Sequence, residues 1–230
     1  MDIVKQYGAS LGIDLQPKTV FVEGTSDVLL FQLAARKLKE SRSVDILSGF
    51  ALLAAGEGDR GGTQGVLNQL IVLRGLSEQL VDANGNPIYK MIGLLDNDKA
   101  GQSAIKAGRA FSLLEYRDLF RIRQIMPSTG GRDPKSLERS FEAKNLKFKG
   151  LNWELEDLVG ASLINMFLEE YPTSLIKEYS TEGAIHREFT RDGKSKLIRF
   201  CKEYADLDNL QGVIHVLHAI RHFINIPKVQ

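Results

Sequence analysis

Two rhythms alternate along the first part of this chain. Short β-branched or aliphatic runs end abruptly in an acid or a glycine. Longer stretches follow in which apolar residues recur every three or four positions. Lys18-Thr19-Val20-Phe21-Val22 is the first run, and Glu23-Gly24 stops it. Val28, Leu29, Leu30, Phe31, Leu33, Ala34 and Leu38 then predict a helix with a broad apolar face, with Ser26-Asp27 placed to cap it. Val44–Leu47 predicts a second strand, and Gly56–Gly65 a glycine-rich loop. Val66, Leu67, Leu70, Ile71, Leu73 and Leu76 predict another helix, and Asn84-Gly85-Asn86-Pro87 a turn. Tyr89–Leu95 reads as a third strand that ends at Asp96, Ser103–Leu114 as a helix, and Leu119–Ile125 as a fourth strand stopped by Met126-Pro127.

Strands alternating with helices imply right-handed βαβ units, hence an α/β fold with a mostly parallel sheet flanked by helices. After about residue 150 the 3.6-residue period predominates: Leu163, Ile164, Phe167 and Leu168 fit it, as do Leu210, Val213, Ile214, Leu217, Ile220 and Ile224. The pattern therefore predicts an α/β unit over 1–160 and a helical C-terminal region over 161–230.

Composition narrows the class. The chain has 230 residues, 43% hydrophobic and 26% charged, with a net charge of +1, the profile of a globular protein. No apolar run approaches the roughly 18 residues of a spanning helix, and Met1–Lys5 does not open a signal peptide's apolar core. A single cysteine, Cys201, excludes an intrachain disulfide. A reducing cytoplasm is the expected setting, and Cys201, in an amphipathic helical pattern, reads as packing. Net charge does not advertise a nucleic-acid partner, but basic residues cluster locally over Arg117–Arg123 and Lys135–Lys149.

The chemistry-bearing residues sit where the apolar runs stop. Glu23 and Asp27, four apart across a strand end and a first helical turn, can face one point. Asp96-Asn97-Asp98 is a D-x-D at another strand end, and its alternate carboxylates can face one cation. Ligands of parallel sheets gather beyond the carboxyl ends of the strands. Carboxylates crowded there call for a divalent metal, and hard oxygen ligands suit Mg²⁺ or Mn²⁺. Taken singly, Asp27 and Glu23 read first as a helix cap and a solvated loop acid, and the D-x-D reads equally well as an Asp-rich turn. His215, His218 and His222 share one helical face, a spacing that could bind zinc but is more often a polar or partner-facing stripe.

An apolar run followed by Glu23-Gly24, then an apolar run followed by Asp96-Asn97-Asp98, resembles the Toprim domain. That domain occurs in topoisomerases, bacterial primases, recombination proteins and OLD-family (overcoming lysogenization defect) nucleases. Asp27, four residues after the glutamate, and the glycine-rich Gly58–Gly65 are most similar to the OLD branch. The resemblance spans about residues 17–160. It implies a Toprim-like (Rossmann-like) sheet and a nuclease that hydrolyses phosphodiester bonds, with DNA as the expected substrate. One or two Mg²⁺ or Mn²⁺ ions would be held by Glu23, Asp27, Asp96, Asp98 and Glu156. Glu156 lies in Leu155-Glu156-Asp157-Leu158, which resembles that branch's L-E-x-L segment, with Glu154 as the alternative. A late lysine would offset phosphate charge: Lys196, with Lys194 second. Glu23, Asp96, Asp98 and Lys196 form the expected catalytic set. Arg132, Lys135, Lys144 and Lys147 are the expected nucleic-acid contacts.

The chain also departs from that branch. OLD proteins carry an ATPase ahead of the Toprim unit, whereas seventeen residues precede the first strand and there is no G-x-x-x-x-G-K-[ST]. An ATPase is therefore expected to be absent or supplied by another chain. Two other functions remain open at this level: a non-catalytic or regulatory Toprim-like module acting with a separate ATPase or defence partner, and a primase-like nucleotidyl transferase.

Overall fold

The computed structural model describes residues 2–56, 61–181 and 183–227. β1 (Lys18–Val22), β2 (Ala51–Ala54), β3 (Lys90–Leu95) and β4 (Leu119–Arg121) form a parallel sheet in the order β2-β1-β3-β4. β1 is buried at every position after Lys18, as expected for a strand covered on both faces. The period-two alternation of a strand sends its side chains to two separate cores. Val20, Val22, Ile92, Leu94 and Phe120 join one core, and Phe21, Leu95 and Leu119 join the other. α1 (Ile3–Ser10), α3 (Gly62–Ser77) and α4 (Lys99–Gly108) cover the second face. α2 (Thr25–Arg42) and α5 (Pro134–Asn145) cover the first, together with three C-terminal helices: α6 (Ala161–Glu170), α7 (Arg191–Tyr204) and α8 (Gln211–Phe223). The α/β architecture is thus the expected one.

One core runs through both halves of the sequence. On α8, Val213, Val216, Leu217 and Ile220 pack into the same cluster as Val20 and Phe31. Phe223 stacks on Phe120 of β4, with ring centroids 4.2 Å apart. The buried Arg221 donates from Nη1 to the carbonyls of Ile46 (2.9 Å) and Ser48 (2.7 Å), and from Nη2 to that of Pro227 (2.7 Å). A guanidinium with several planar donors can satisfy carbonyls that a turn leaves unpaired.

Those carbonyls mark a correction. Val44–Leu47 is not a strand; Ile46 and Leu47 lie in a turn held by Arg221. The second strand is Ala51–Ala54, whose alanines carry little β propensity, so partnership with β1 rather than local preference makes it a strand. α4 starts at Lys99, earlier than expected, because the Asp98 carboxylate accepts from Gly101 N at 2.7 Å and caps it there. β4 is confined to three residues. The region after 160 is not continuous helix: β5 (Leu175–Thr181) and β6 (Ala184–Phe189) form an antiparallel hairpin. The glycine-rich loop lies partly outside the described residues, at 57–60; from Gly62 onward it is α3. Cys201 is fully buried, and desolvation pushes its thiol up to about 12, so it packs and does not react. Among the described residues, no helix is long and apolar enough to cross a membrane.

α3 lies against β3 where Gly93 leaves no side chain. A Cβ there would fall 2.4 Å from Val66 Cγ1 and 2.9 Å from Leu119 Cδ2. Gly93→Ala is therefore expected to destabilise the fold by about 1–3 kcal/mol through overpacking, measured as a lower midpoint in urea unfolding.

Candidate metal centre

β1 and β3 are parallel neighbours, with Phe21 opposite Gly93, so Glu23 and Asp96 leave the sheet at the same edge. From β1 the chain passes to β2 on one side and then crosses back to β3 on the other. The strand order therefore reverses between these two carboxyl ends, the place where such sheets open a crevice. The Glu23 carboxylate bridges it by accepting the backbone N–H of Asp96 at Oε1 (2.9 Å). Gly61 and Gly62 close one side of the crevice. Gly61 approaches so closely that a Cβ would sit 2.8 Å from the Gly56 carbonyl and 3.1 Å from that of Glu23.

The segment 153–158 delivers two more acids. Asn97 N donates to the Trp153 carbonyl (2.7 Å), and Leu155 N donates to Asp96 Oδ1 (3.2 Å). These bonds lay the 3-10 turn Leu155–Leu158 across the end of β3. One carboxylate oxygen from each of Asp96, Glu154 and Glu156 then lies within 4.8 Å of the other two, a group that can hold a metal ion. Asp157 faces the other way. Its Oδ2 accepts from Glu154 N (2.9 Å) and meets His186 Nδ1 (2.7 Å), while Oδ1 accepts from Arg187 N (2.8 Å). The hairpin strand β6 thus braces the turn that carries Glu154 and Glu156.

Lys194, from the first turn of α7, is the countercharge. Its Nζ lies 3.0 Å from Glu154 Oε2 and 3.4 Å from Glu156 Oε2. Thr190 Oγ1 caps α7 by accepting Gly193 N (2.9 Å). Gly193 lets the helix approach the chain at Ser174, whose carbonyl would lie 2.7 Å from a Cβ. Lys194 and Arg191 are three apart and share the helix face that lines a cavity of about 600 Å³, together with Glu23, Asp27 and Asp96.

Five carboxylates against so few cations leave an excess of negative charge in a poorly hydrated place. Burial, with the Asp27 and Asp98 charges, pushes Glu23 up to about 7, against the opposing bond from Asp96 N. Burial and the Glu156 charge push Asp27 up to about 6. Burial raises Asp96 well above the usual carboxylate range despite Lys194, with Glu23, Glu156 and Asp27 adding to the rise. Burial likewise raises Glu154. Burial alone would lower Lys194, but Glu156, Asp96 and Glu154 outweigh it and raise its ammonium. Glu154 Oε2 and Glu156 Oε2 are buried oxygens that face the ammonium yet accept no well-aligned hydrogen bond. Buried acceptors of that kind, all of them hard oxygens, suit a divalent cation.

Of the expected residues, the fold gathers Glu23, Asp27, Asp96 and Glu156. Glu154 joins them rather than competing with Glu156. Asp27 also caps: its Oδ2 accepts Gly24 N at 2.9 Å. Asp98 lies outside the cavity lining and spends Oδ1 on capping α4. Lys196 is displaced from the role expected of it. Residues two apart on a helix face apart, so it turns outward and pairs with Asp192 at 2.7 Å. Arg132, Lys135, Lys144 and Lys147 lie outside the lining as well. Lys135 and Lys144 are exposed on α5, Lys147 sits over the Phe148 ring, and Arg132 bonds His222. His215 bonds the Met126 carbonyl, and the histidine face is not among the metal-holding groups of the described residues. Arg191, three residues before Lys194, also lines the cavity.

The pH dependence has a definite sign. Glu23 and Asp27 ordinarily titrate near 4.5 and 3.8, and in the fold near 7 and 6. Between those limits the folded state binds more protons than the unfolded one, so stability without metal falls as pH rises through that window. A divalent cation offsets the charge, so the rise in melting temperature on adding Mn²⁺ is expected to be larger at pH 8 than at pH 5, as scanning fluorimetry can measure. Compared with known proteins, the chain matches no family model, no curated protein and no solved structure.

Proposed function

We propose that this chain is a Toprim-like, metal-dependent nuclease that hydrolyses phosphodiester bonds in nucleic acid, with DNA as the first substrate to test. The observation that carries the reading is the convergence of Asp96, Glu154 and Glu156 beside Glu23 and Asp27, with Lys194 and Arg191 on the same cavity. Asp96, Glu154 and Glu156 would hold the ion, with Glu23 and Asp27 facing it across the crevice. Mg²⁺ or Mn²⁺ bound there supplies Lewis-acid polarisation of a phosphate and lowers the pKa of a bound water. Glu23 orients Asp96 through the backbone N–H that it accepts. Lys194 stays charged throughout the neutral range and meets a non-bridging phosphate oxygen as negative charge builds. Arg191, exposed at the rim, offers a guanidinium fork to the flanking phosphate.

A second reading has one observation in its favour. Lys194 already pairs with Glu154 and Glu156, so the cluster carries an internal counter-ion and could serve a regulatory module instead.

Both readings meet one assay, cleavage of plasmid, single-stranded DNA and RNA in Mn²⁺. Asp96→Ala is expected to lose at least about 100-fold in rate, and Lys194→Ala about 10²–10³-fold, by analogy with loss of a charge-stabilising donor. Lys196→Ala is expected to cut like wild type. Cleavage by Asp96→Ala at the wild-type rate removes the site assignment. A folded wild-type protein that neither cuts nor gains stability from Mn²⁺ favours the regulatory module.

A further inference from the structure

The ammonium of Lys194 stands between the acidic cavity and two of the carboxylates that would hold an ion. Lys194 lines that cavity beside Asp96, whereas Glu154 and Glu156 do not. Its Nζ lies against both glutamates, 3.0 Å from Glu154 Oε2 and 3.4 Å from Glu156 Oε2. Those two oxygens are closed to solvent and accept no aligned hydrogen bond. A hard divalent cation sits about 2.0–2.6 Å from each oxygen that ligates it. It cannot reach these oxygens while the ammonium covers them, and the two positive charges repel strongly at such a distance in a poorly hydrated place.

The lysine has room to withdraw. The cavity has a volume of about 600 Å³, and 27% of the Lys194 side chain is exposed against 3% of that of Glu156. A lysine is a compact charge on a flexible four-carbon stem, so its head can move while its backbone stays. That backbone is fixed: Thr190 caps α7 by accepting Gly193 N, and Gly193 lies close to the Ser174 carbonyl. The glutamate turn is fixed as well, because Asp157 ties the Glu154 N–H to that of Arg187 on β6. The movable member of the group is therefore the ammonium.

We infer that Lys194 is an exchangeable internal counter-ion. It holds Glu154 and Glu156 in the metal-free protein, yields them to a divalent cation, and swings into the cavity. The inference rests on reading the carboxylates as a metal centre beside a phosphodiester site, and it deepens that reading by fixing an order. The ammonium reaches a phosphate in the cavity only after the metal has taken over its carboxylates. Without metal, the protein keeps this charge-stabilising group out of the substrate's reach.

The test reads the accessibility of the lysine itself and needs no variant. The full chain is briefly methylated with isotope-labelled formaldehyde and a borane reductant, with and without Mg²⁺, and each lysine is followed by peptide mass spectrometry. Ligands ordinarily shield the groups around them, but here Mg²⁺ is expected to raise labelling of Lys194 at least about tenfold, the factor that about 1.4 kcal/mol of lost ion pairing provides. Lys196, which pairs with the exposed Asp192, is the internal control and is expected to stay constant. In a second measurement, Mn²⁺ affinity by electron paramagnetic resonance is expected to rise at least about tenfold in Lys194→Met, where the competing cation is gone, and to stay near the wild-type value in Lys194→Arg. A lysine that only supports the fold predicts weaker Mn²⁺ binding in Lys194→Met. Bound metal with Lys194 labelling unchanged or reduced overturns the exchange, because the ion then uses other oxygens. Absence of metal binding overturns the exchange and the metal centre together. The nuclease assay separates from both: Mg²⁺-dependent labelling without cleavage of DNA or RNA defeats the nuclease reading alone, and cleavage with labelling unchanged defeats the exchange alone.

Discussion

The ammonium of Lys194 among Glu154, Glu156 and Asp96 is the interaction on which the rest of this edge of the molecule depends. Carboxylates brought together out of water repel one another, and the fold has two ways to tolerate them: proton uptake or countercharge. It uses both. Glu23 and Asp27 hold protons to higher pH than they otherwise would, and Lys194 is locked in its charged form. A buried ion pair of this kind is a poor source of stability, because desolvation of both partners consumes much of the attraction. Here it leaves two carboxylate oxygens without aligned donors, in a group that could hold a metal ion.

The C-terminal half supplies what the sheet cannot. β1 and β3 bring Glu23 and Asp96 to one edge, but Lys194 belongs to α7, and the turn bearing Glu154 and Glu156 is braced by β6. The buried Asp157–His186 contact, at 2.7 Å, carries that brace. Burial works against protonation of His186, but the Asp157 carboxylate outweighs it and holds the imidazole above its ordinary value. Shared packing of α8 with α2 and β1 keeps the two halves in one core, so the lysine and the acids are fixed relative to each other by apolar burial, the strongest organising force in the molecule.

Much of the sheet was legible because its central strands are buried on both faces and bounded by abrupt acids or glycines. β1 and β3 could hardly be anything else. β2 was not legible. Ala51–Ala54 has weak strand preference and is made a strand by hydrogen bonding to β1, whereas the β-branched Val44–Leu47 is bent into a turn by Arg221, far away in sequence. The hairpin was hidden similarly: Ile176, Lys177, Glu178 and Tyr179 of β5 are exposed, so no burial periodicity announces a strand.

The sequence by itself determined that Glu23, Asp27 and Asp96 would meet at the carboxyl edge of a parallel sheet, because strand ends and first helical turns are local features. Only the tertiary structure decided which distant residues complete the group. It admitted Glu154 with Glu156, because a single 3-10 turn presents both to Asp96. It set Asp98 to capping and chose Lys194 over Lys196, because helix geometry allows only one of two such neighbours to face the acids. Those decisions depend on how α7 and the 153–158 segment dock against the sheet, and docking is settled by packing across the whole chain rather than by any short run of residues.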